Sequence, residues 1–225
     1  MAATESHIVL WGAISLRALR VHWALHELDL PYEYRPIQSR TGETLTAEYT
    51  GHNPKQKIPC LQDGDFTLTE SAAIVNYLFN AYGAGTDIYL PQTVEDQGRA
   101  DEWSYFAMME LDAHSLYLIR RHKYLSNIYG EAPVAVASAA EYCHKQIQAV
   151  APAMAAFDPY IFGDQLSAAD IMLSTTLDFA DRYDIDLPPV CRAYRDCAYA
   201  RPAFQAAHKR NQELDKAIGE DLDAS

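Results

Sequence analysis

Three short stretches in the first third of the chain hold residue types that can do chemistry together. Ser15 stands just after the apolar run His7-Ile8-Val9-Leu10-Trp11, which Gly12 closes, and just before a helical pattern. A hydroxyl at a helix start is an ordinary N-cap. The same position, with the helix dipole and free amides around it, also stabilises an anion. Gly12-Ala13-Ile14-Ser15-Leu16 lacks the G-x-S-x-G elbow, and no His/Asp partner is evident, so Ser15 is not a hydrolase-type nucleophile. A serine that donates a hydrogen bond to a ligand's thiolate needs no base; it only has to favour the anion over the thiol.

The second stretch is Asn53-Pro54-Lys55-Gln56-Lys57-Ile58-Pro59. A proline that heads a strand cannot donate to the ladder and suits an edge or a bend. With a cis Ile58–Pro59 bond, the Ile58 backbone would face a cleft and pair with an extended peptide as an added strand. An ordinary edge-strand proline is the competing reading. The third stretch is Thr69-Glu70-Ser71-Ala72-Ala73-Ile74, at a strand-to-helix junction. There the Ser71 hydroxyl and amide suit a carboxylate, and Glu70 suits an ammonium. Together they would receive the zwitterionic end of an amino acid. Taken alone, Glu-Ser is only a helix cap.

Elements must exist to hold these residues. Residues 7–11 read as a buried strand ended by Gly12, and 15–28 as a helix with Val21, Ala24, Leu25 and Leu28 on one face. Residues 32–37 read as a second strand, 38–52 as a polar stretch, and 58–62 as a third strand. The turn Asp63-Gly64-Asp65 leads into a fourth strand at 66–69 and a helix at 71–82. The order β-α-β, connection, β-β-α describes a small mixed sheet with helices on its faces. Gly83-Ala84-Gly85-Thr86-Asp87 reads as a linker, and beyond it every pattern is helical: 94–127, 133–157, 168–183, 189–198 and 202–218. Within that half, Ser167-Ala168-Ala169-Asp170 is a capping box, with Leu166 and Ile171 placed as its hydrophobic staple. It fixes a helix start and carries no chemistry.

Composition excludes several functions. The chain has 225 residues, 18 basic and 31 acidic, for a net charge of −13. That balance cannot neutralise a run of phosphates and argues against nucleic acid and against basic attachment to membranes. No window approaches the ~20 apolar residues of a membrane span. Met1 to His7 lacks the basic and apolar regions of a signal peptide, so the expected location is cytoplasmic. Residues 1–84 carry 6 basic and 9 acidic side chains, against 12 and 22 for the remainder, so most of the acidity lies in the helical half. Cys60, Cys143, Cys191 and Cys197 are too scattered for a disulfide framework and read as small buried hydrophobes or plain thiols. His22 and His26, one turn apart, make half a metal site at most; without a third ligand at suitable spacing they read as a polar helix face, and no metal is expected.

In order and spacing, the Ser15 junction, Asn-Pro-x-x-x-Ile-Pro, Glu-Ser-x-Ala-Ile and Gly-Asp-x-x-Ser-x-Ala-Asp resemble the cytosolic glutathione transferase family over nearly the whole chain. Ala200-Arg201-Pro202-Ala203-Phe204 fits as well. The resemblance implies an α/β plus all-α chain: a thioredoxin-like glutathione-binding domain at 1–84, then an all-helical domain at 92–225. It makes Ser15 the activating residue, followed at the family's interval by Arg20-Val21. Glu70 and Ser71 would hold the γ-glutamyl group, and Ile58, ahead of a cis Pro59, would contact the cysteinyl backbone. Lys57, where many relatives have glutamine, would pair with a glutathione carboxylate; Arg17 and Arg40 could also help bind the anion, although solvated surface is the favoured reading for each. A second-substrate pocket between the domains would draw on Trp11, Ala13, Tyr105, Met108, Met109, Leu111 and His114, although such residues at helical spacing are more often core.

Residues 103–111 are similar to the fourth helix of bacterial beta-class members, which usually carry an active-site cysteine; Ser15, Ile14 and Leu16 stand here instead, so no class is assigned. That lack of a thiol also argues against thiol-disulfide exchange. The implied activity joins glutathione, as co-substrate, to a small electrophile, with peroxide reduction, dehalogenation, ether cleavage and isomerisation open to the same thiolate. A homodimer is implied. The rival is a non-catalytic ligand carrier or interaction module built on the same fold.

Overall fold

A computed structural model describes residues 7–211. β1 (Ile8–Trp11) is buried along its whole length, because it runs through the middle of a sheet with the order β2-β1-β3-β4. β2 (Glu33–Arg35) lies parallel to β1, β3 (Cys60–Asp63) antiparallel to it, and β4 (Phe66–Thr69) antiparallel to β3. β1 and β4 therefore point the same way. The register puts Trp11, Cys60 and Thr69 in one row across the sheet, with Arg35 opposite Trp11 on the other side.

α1 (Leu16–Glu27) leaves the sheet after β1, and α3 (Ser71–Tyr82) leaves it after β4, so both helices start at the same edge. The four residues on the expected face of α1 are buried, as are Ile74 and Leu78 of α3. The polar stretch ahead of β3 holds one element that its composition hid, the short helix α2 (Ala47–His52), capped by Thr46. Its Tyr49 packs with Val9, Trp11 and Cys60 into a core cluster.

The chain divides into two compact units. One is formed by the chain up to Thr86 together with the segment that begins at Arg201, the other by Asp87–Ala200. The described residues from Arg201 onward thus group with the sheet and not with the second unit. Residues 202–211 are helical and pack on α1, because Phe204 and Ala207 are apolar on the same face and α1 offers Trp23 to cover. The Phe204 ring meets the Trp23 indole edge-on at 4.9 Å, and Arg201 grips the Glu27 carboxylate with two bonds of 2.7 and 2.8 Å. The rest of the helix expected at 202–218 lies outside the described residues.

In the second unit, α4 (Val94–Tyr105) starts at a capping box of Thr93 and Asp96. The run expected to be one helix to residue 127 continues instead through wide π-type turns at Phe106–Leu116 and Arg120–Tyr124, then breaks at Leu125. Helices Pro133–Met154, Ala168–Asp181 and Pro189–Tyr199 follow. Every residue from Ala168 to Leu177 is buried, and the hydroxyls of Ser174 and Thr175 bond back to carbonyls one turn earlier, which satisfies them inside the core. The Ser167–Asp170 box forms as expected, and buried Asp170 also accepts from the Ile161 amide and the Tyr194 hydroxyl. Among the described residues no helix is long and apolar enough to cross a membrane.

One further expectation fails. His22 does not lie on a polar face; it is fully buried, with Tyr34 edge-on at 4.6 Å and its Nδ1 2.7 Å from the Tyr32 hydroxyl. Burial, reinforced by the positive fields of His26 and Arg210, lowers its pKa to about 3. A histidine kept neutral in the fold and free to protonate in the unfolded chain stabilises the fold above its unfolded pKa of about 6.5, and this stability is lost as the pH falls toward the folded value. Urea titrations of wild type and His22→Asn should show the wild type losing about 2 kcal/mol more than the variant between about pH 7 and about pH 5. Equal losses would show that folding does not lower the His22 pKa.

Candidate functional site

The row Trp11–Cys60–Thr69 explains how three stretches far apart in sequence come together. Ser15 follows β1, Ile58-Pro59 precedes β3, and Glu70-Ser71 follows β4, so all three stand just beyond one edge of the sheet. Gly12 sets how closely the first two approach. Its φ is +119°, and a Cβ there would lie 2.7 Å from the Ile58 Cβ. Only glycine lets β1 end in contact with the Ile58–Pro59 segment.

Ser15 has extended backbone angles and caps α1; its Oγ accepts the Ala18 amide at 3.0 Å. That bond uses one of the hydroxyl's two lone pairs and leaves its proton free to be donated to an acceptor. The residue is half-buried. The loop leading to it is tied amide by amide: Gly12 to the Arg35 carbonyl at 3.0 Å, Ala13 to the Ile37 carbonyl at 2.8 Å, and Ile14 to the Asn211 side chain at 3.1 Å. Ile14 sits at φ +50°, a left-handed conformation that costs a β-branched residue roughly 1–2 kcal/mol.

The Ile58–Pro59 peptide is cis. The carbonyl of Lys57 just before it accepts from the Tyr49 hydroxyl and from Asn53 Nδ2 at 2.6 Å, which anchors this turn to α2. At the third stretch Glu70 holds φ +72° at the N-cap position and makes no side-chain bond to its own helix. Its carboxylate pairs instead with Lys55. Both partners are at least half exposed, so the pair contributes little to stability, and a ligand's ammonium can replace Lys55 at small cost. Ser71 is buried, and Arg20, itself fully buried, donates to its Oγ at 3.4 Å. A guanidinium behind the first amides of α3 adds to the helix dipole and favours a carboxylate there.

The sequence-predicted residues distribute as follows. Ser15, Ile58, Pro59, Glu70 and Ser71 lie together at this edge. Lys57 belongs to the same turn, its side chain exposed. Trp11 and Ala13, read as pocket walls, are buried: the Trp11 indole donates to Gln62 at 2.6 Å and packs against Tyr49 and His52. Leu111 is buried as well, in the other unit. There Tyr105, Met109 and His114 are exposed and Met108 half-buried, with the His114 ring 4.9 Å from Tyr142. Sequence reasoning missed Lys55 and Asn211. Lys55 was visible two positions before Lys57, but nothing in the spacing told which lysine reaches Glu70. Asn211 gave no signal, being 197 positions from the loop it holds.

Two family models match the chain: the glutathione S-transferase N-terminal domain over residues 6–80 and the C-terminal domain over 133–197. A maleylpyruvate isomerase of Ralstonia sp is 30% identical, over 80% of this chain and 84% of its own. This chain belongs to the cytosolic glutathione transferase family. Glutathione S-transferase theta-1 of Homo sapiens is 28% identical, over 86% of this chain and 76% of its own. The solved structure of a glutathione transferase from Methylococcus capsulatus matches with a TM-score of 0.78 at 27% identity, covering 91% of this chain and 98% of that one. The thioredoxin-like sheet with flanking helices and the helical second unit are the fold of this transferase family.

Gly12→Ala should lose about 2 kcal/mol of unfolding free energy, since it combines a left-handed backbone with a 2.7 Å clash. Gly64→Ala, also at positive φ but with nothing within 4 Å, should lose only about 1 kcal/mol. Urea unfolding of both variants checks this, and equal losses would show that the Gly12–Ile58 approach is not tight.

Proposed function

We propose that the protein is a glutathione S-transferase in which Ser15 activates the thiol of glutathione for attack on a small hydrophobic electrophile. The observation that carries the reading is the Ser15 cap: Oγ accepts the Ala18 amide, so its proton remains for a ligand at the start of α1. The γ-glutamyl group would bind with its carboxylate on Ser71 and the first amides of α3 and its ammonium on Glu70 in place of Lys55. The cysteinyl unit would lie along the Ile58 backbone before the cis proline, as an added strand. Lys57, exposed on the same turn, would meet a glutathione carboxylate.

Held there, the sulfur receives the Ser15 hydrogen bond and the field of the α1 N-terminus. Lowering a thiol pKa from about 8.5 to about 6.5 takes about 2.7 kcal/mol of anion stabilisation, within reach of one charge-assisted hydrogen bond and a helix terminus. The proton leaves to solvent, the thiolate forms a carbon–sulfur bond, and the electrophile's leaving group departs with the bonding pair. A second reading rests on the relative named maleylpyruvate isomerase. In it the thiolate adds to a conjugated double bond, the new single bond rotates, and the thiolate leaves again. Both chemistries need the same activated sulfur. We also propose that the protein acts in the cytoplasm as a homodimer, in keeping with its family.

Ser15→Ala should lower turnover of an activated aryl halide at neutral pH by at least about tenfold, with glutathione binding within a few-fold of wild type. Turnover near wild type with binding intact would remove Ser15 as the activating group. Retention of the wild type on immobilised glutathione, with release by free glutathione, separates the enzyme from a non-catalytic carrier of the same fold.

A further inference from the structure

The segment that returns to the first unit reaches the loop before Ser15. Residues 202–211 run antiparallel to α1: Arg201 holds Glu27 at the far end of α1, Phe204 covers Trp23, and Asn211 reaches Ile14 at the near end. Ten residues at a helical rise of about 1.5 Å cover about 15 Å, close to the length of α1 itself. Arg210 adds a further anchor, its guanidinium 5.5 Å from the Tyr32 ring and 5.8 Å from the Tyr34 ring. The segment is thus held at Arg201 and again at Arg210 and Asn211, and Asn211 presents an amide oxygen to the loop before Ser15.

That loop needs such a partner. Gly12 and Ala13 are tied by backbone bonds to Arg35 and Ile37 at the end of β2, but among the described residues the Ile14 amide finds no backbone acceptor and takes Asn211 Oδ1. Ile14 is also the residue held at φ +50°, where isoleucine does not rest unaided. Release of its amide lets the peptide before Ser15 turn back to an ordinary extended conformation. Ser15 then rotates about the start of α1, and its hydroxyl no longer points to a fixed spot.

We propose that Asn211 is a positioning residue for thiol activation: by holding the Ile14 amide it fixes the direction of the Ser15 hydroxyl. This rests on the reading of Ser15 as the activating group. Asn211 touches no substrate in this account and acts only through Ile14. Its loss therefore moves the pKa of the bound thiol and the rate, while glutathione affinity, set at Glu70, Ser71 and Ile58, stays in place.

The test compares Asn211→Leu, of the same shape but without an acceptor, with Asn211→Gln, which keeps the amide oxygen, alongside Ser15→Ala and the double variant Ser15→Ala/Asn211→Leu. The bound thiol is titrated by thiolate ultraviolet absorbance in the full-length protein saturated with glutathione, and kcat/KM is measured with an activated aryl halide. Asn211→Leu should raise the thiol pKa to a value between wild type and Ser15→Ala and lower kcat/KM about fivefold to tenfold, with the glutathione Kd within about twofold. Asn211→Gln should restore most of the loss, and the double variant should be no worse than Ser15→Ala alone, because both changes remove one interaction. A wild-type thiol pKa in Asn211→Leu, additive losses in the double variant, or failure of Asn211→Leu to fold would overturn the inference. If Ser15→Ala leaves the thiol pKa unchanged, the activation reading itself falls and this inference with it. If Ser15→Ala shifts the pKa and Asn211→Leu does not, only the role of Asn211 falls.

Discussion

The missing Cβ of Gly12 is the constraint on which the site depends. β1 ends against Ile58 at a distance no other residue allows, and that contact sets the loop carrying Ser15 beside the turn carrying the cis proline. Everything else at this edge follows from strand direction. Because β4 runs parallel to β1, the helix after each begins on the same side, and because β3 runs the other way, its leading turn comes to that side too. Two helix N-termini and the turn that carries the cis proline thus meet at one sheet edge.

This arrangement suits an anionic ligand without a cluster of exposed basic side chains. The favourable field comes from amides at the starts of α1 and α3, and from Arg20, which is buried behind Ser71. The half of the chain with the weaker negative charge carries these groups, and most of the acidity of the −13 chain lies elsewhere in the sequence. The Lys55–Glu70 pair is consistent with this design, since it holds Glu70 in an exposed and exchangeable bond.

Much of this was legible because it depends on local rules. The Ser167–Asp170 box, the helix starting at Ser71 and the strand at Phe66–Thr69 are marked by capping and turn residues within four positions of one another. What escaped depends on contacts between distant segments. His22 looks polar in sequence and is buried because Tyr32 and Tyr34 fold over it. Trp11 looks like a pocket wall and is core because Tyr49, on the unread helix α2, lies against it. The π-type turns at Phe106–Leu116 change backbone pitch without changing the apolar pattern that marks a helix. Residues 202–211 are helical by pattern, but only the Trp23–Phe204 and Glu27–Arg201 contacts show which unit they join.

In the proposed arrangement Ser15 accepts from its own helix and donates its proton to the ligand, while Ser71 and Glu70 hold the other end of the same molecule. A crystal structure of the wild-type protein with glutathione tests this most directly. The account predicts the sulfur within about 3.5 Å of Ser15 Oγ, with the γ-glutamyl carboxylate on Ser71 and the ammonium on Glu70 in place of Lys55. A sulfur held by another group, or a γ-glutamyl end bound away from α3, would contradict it.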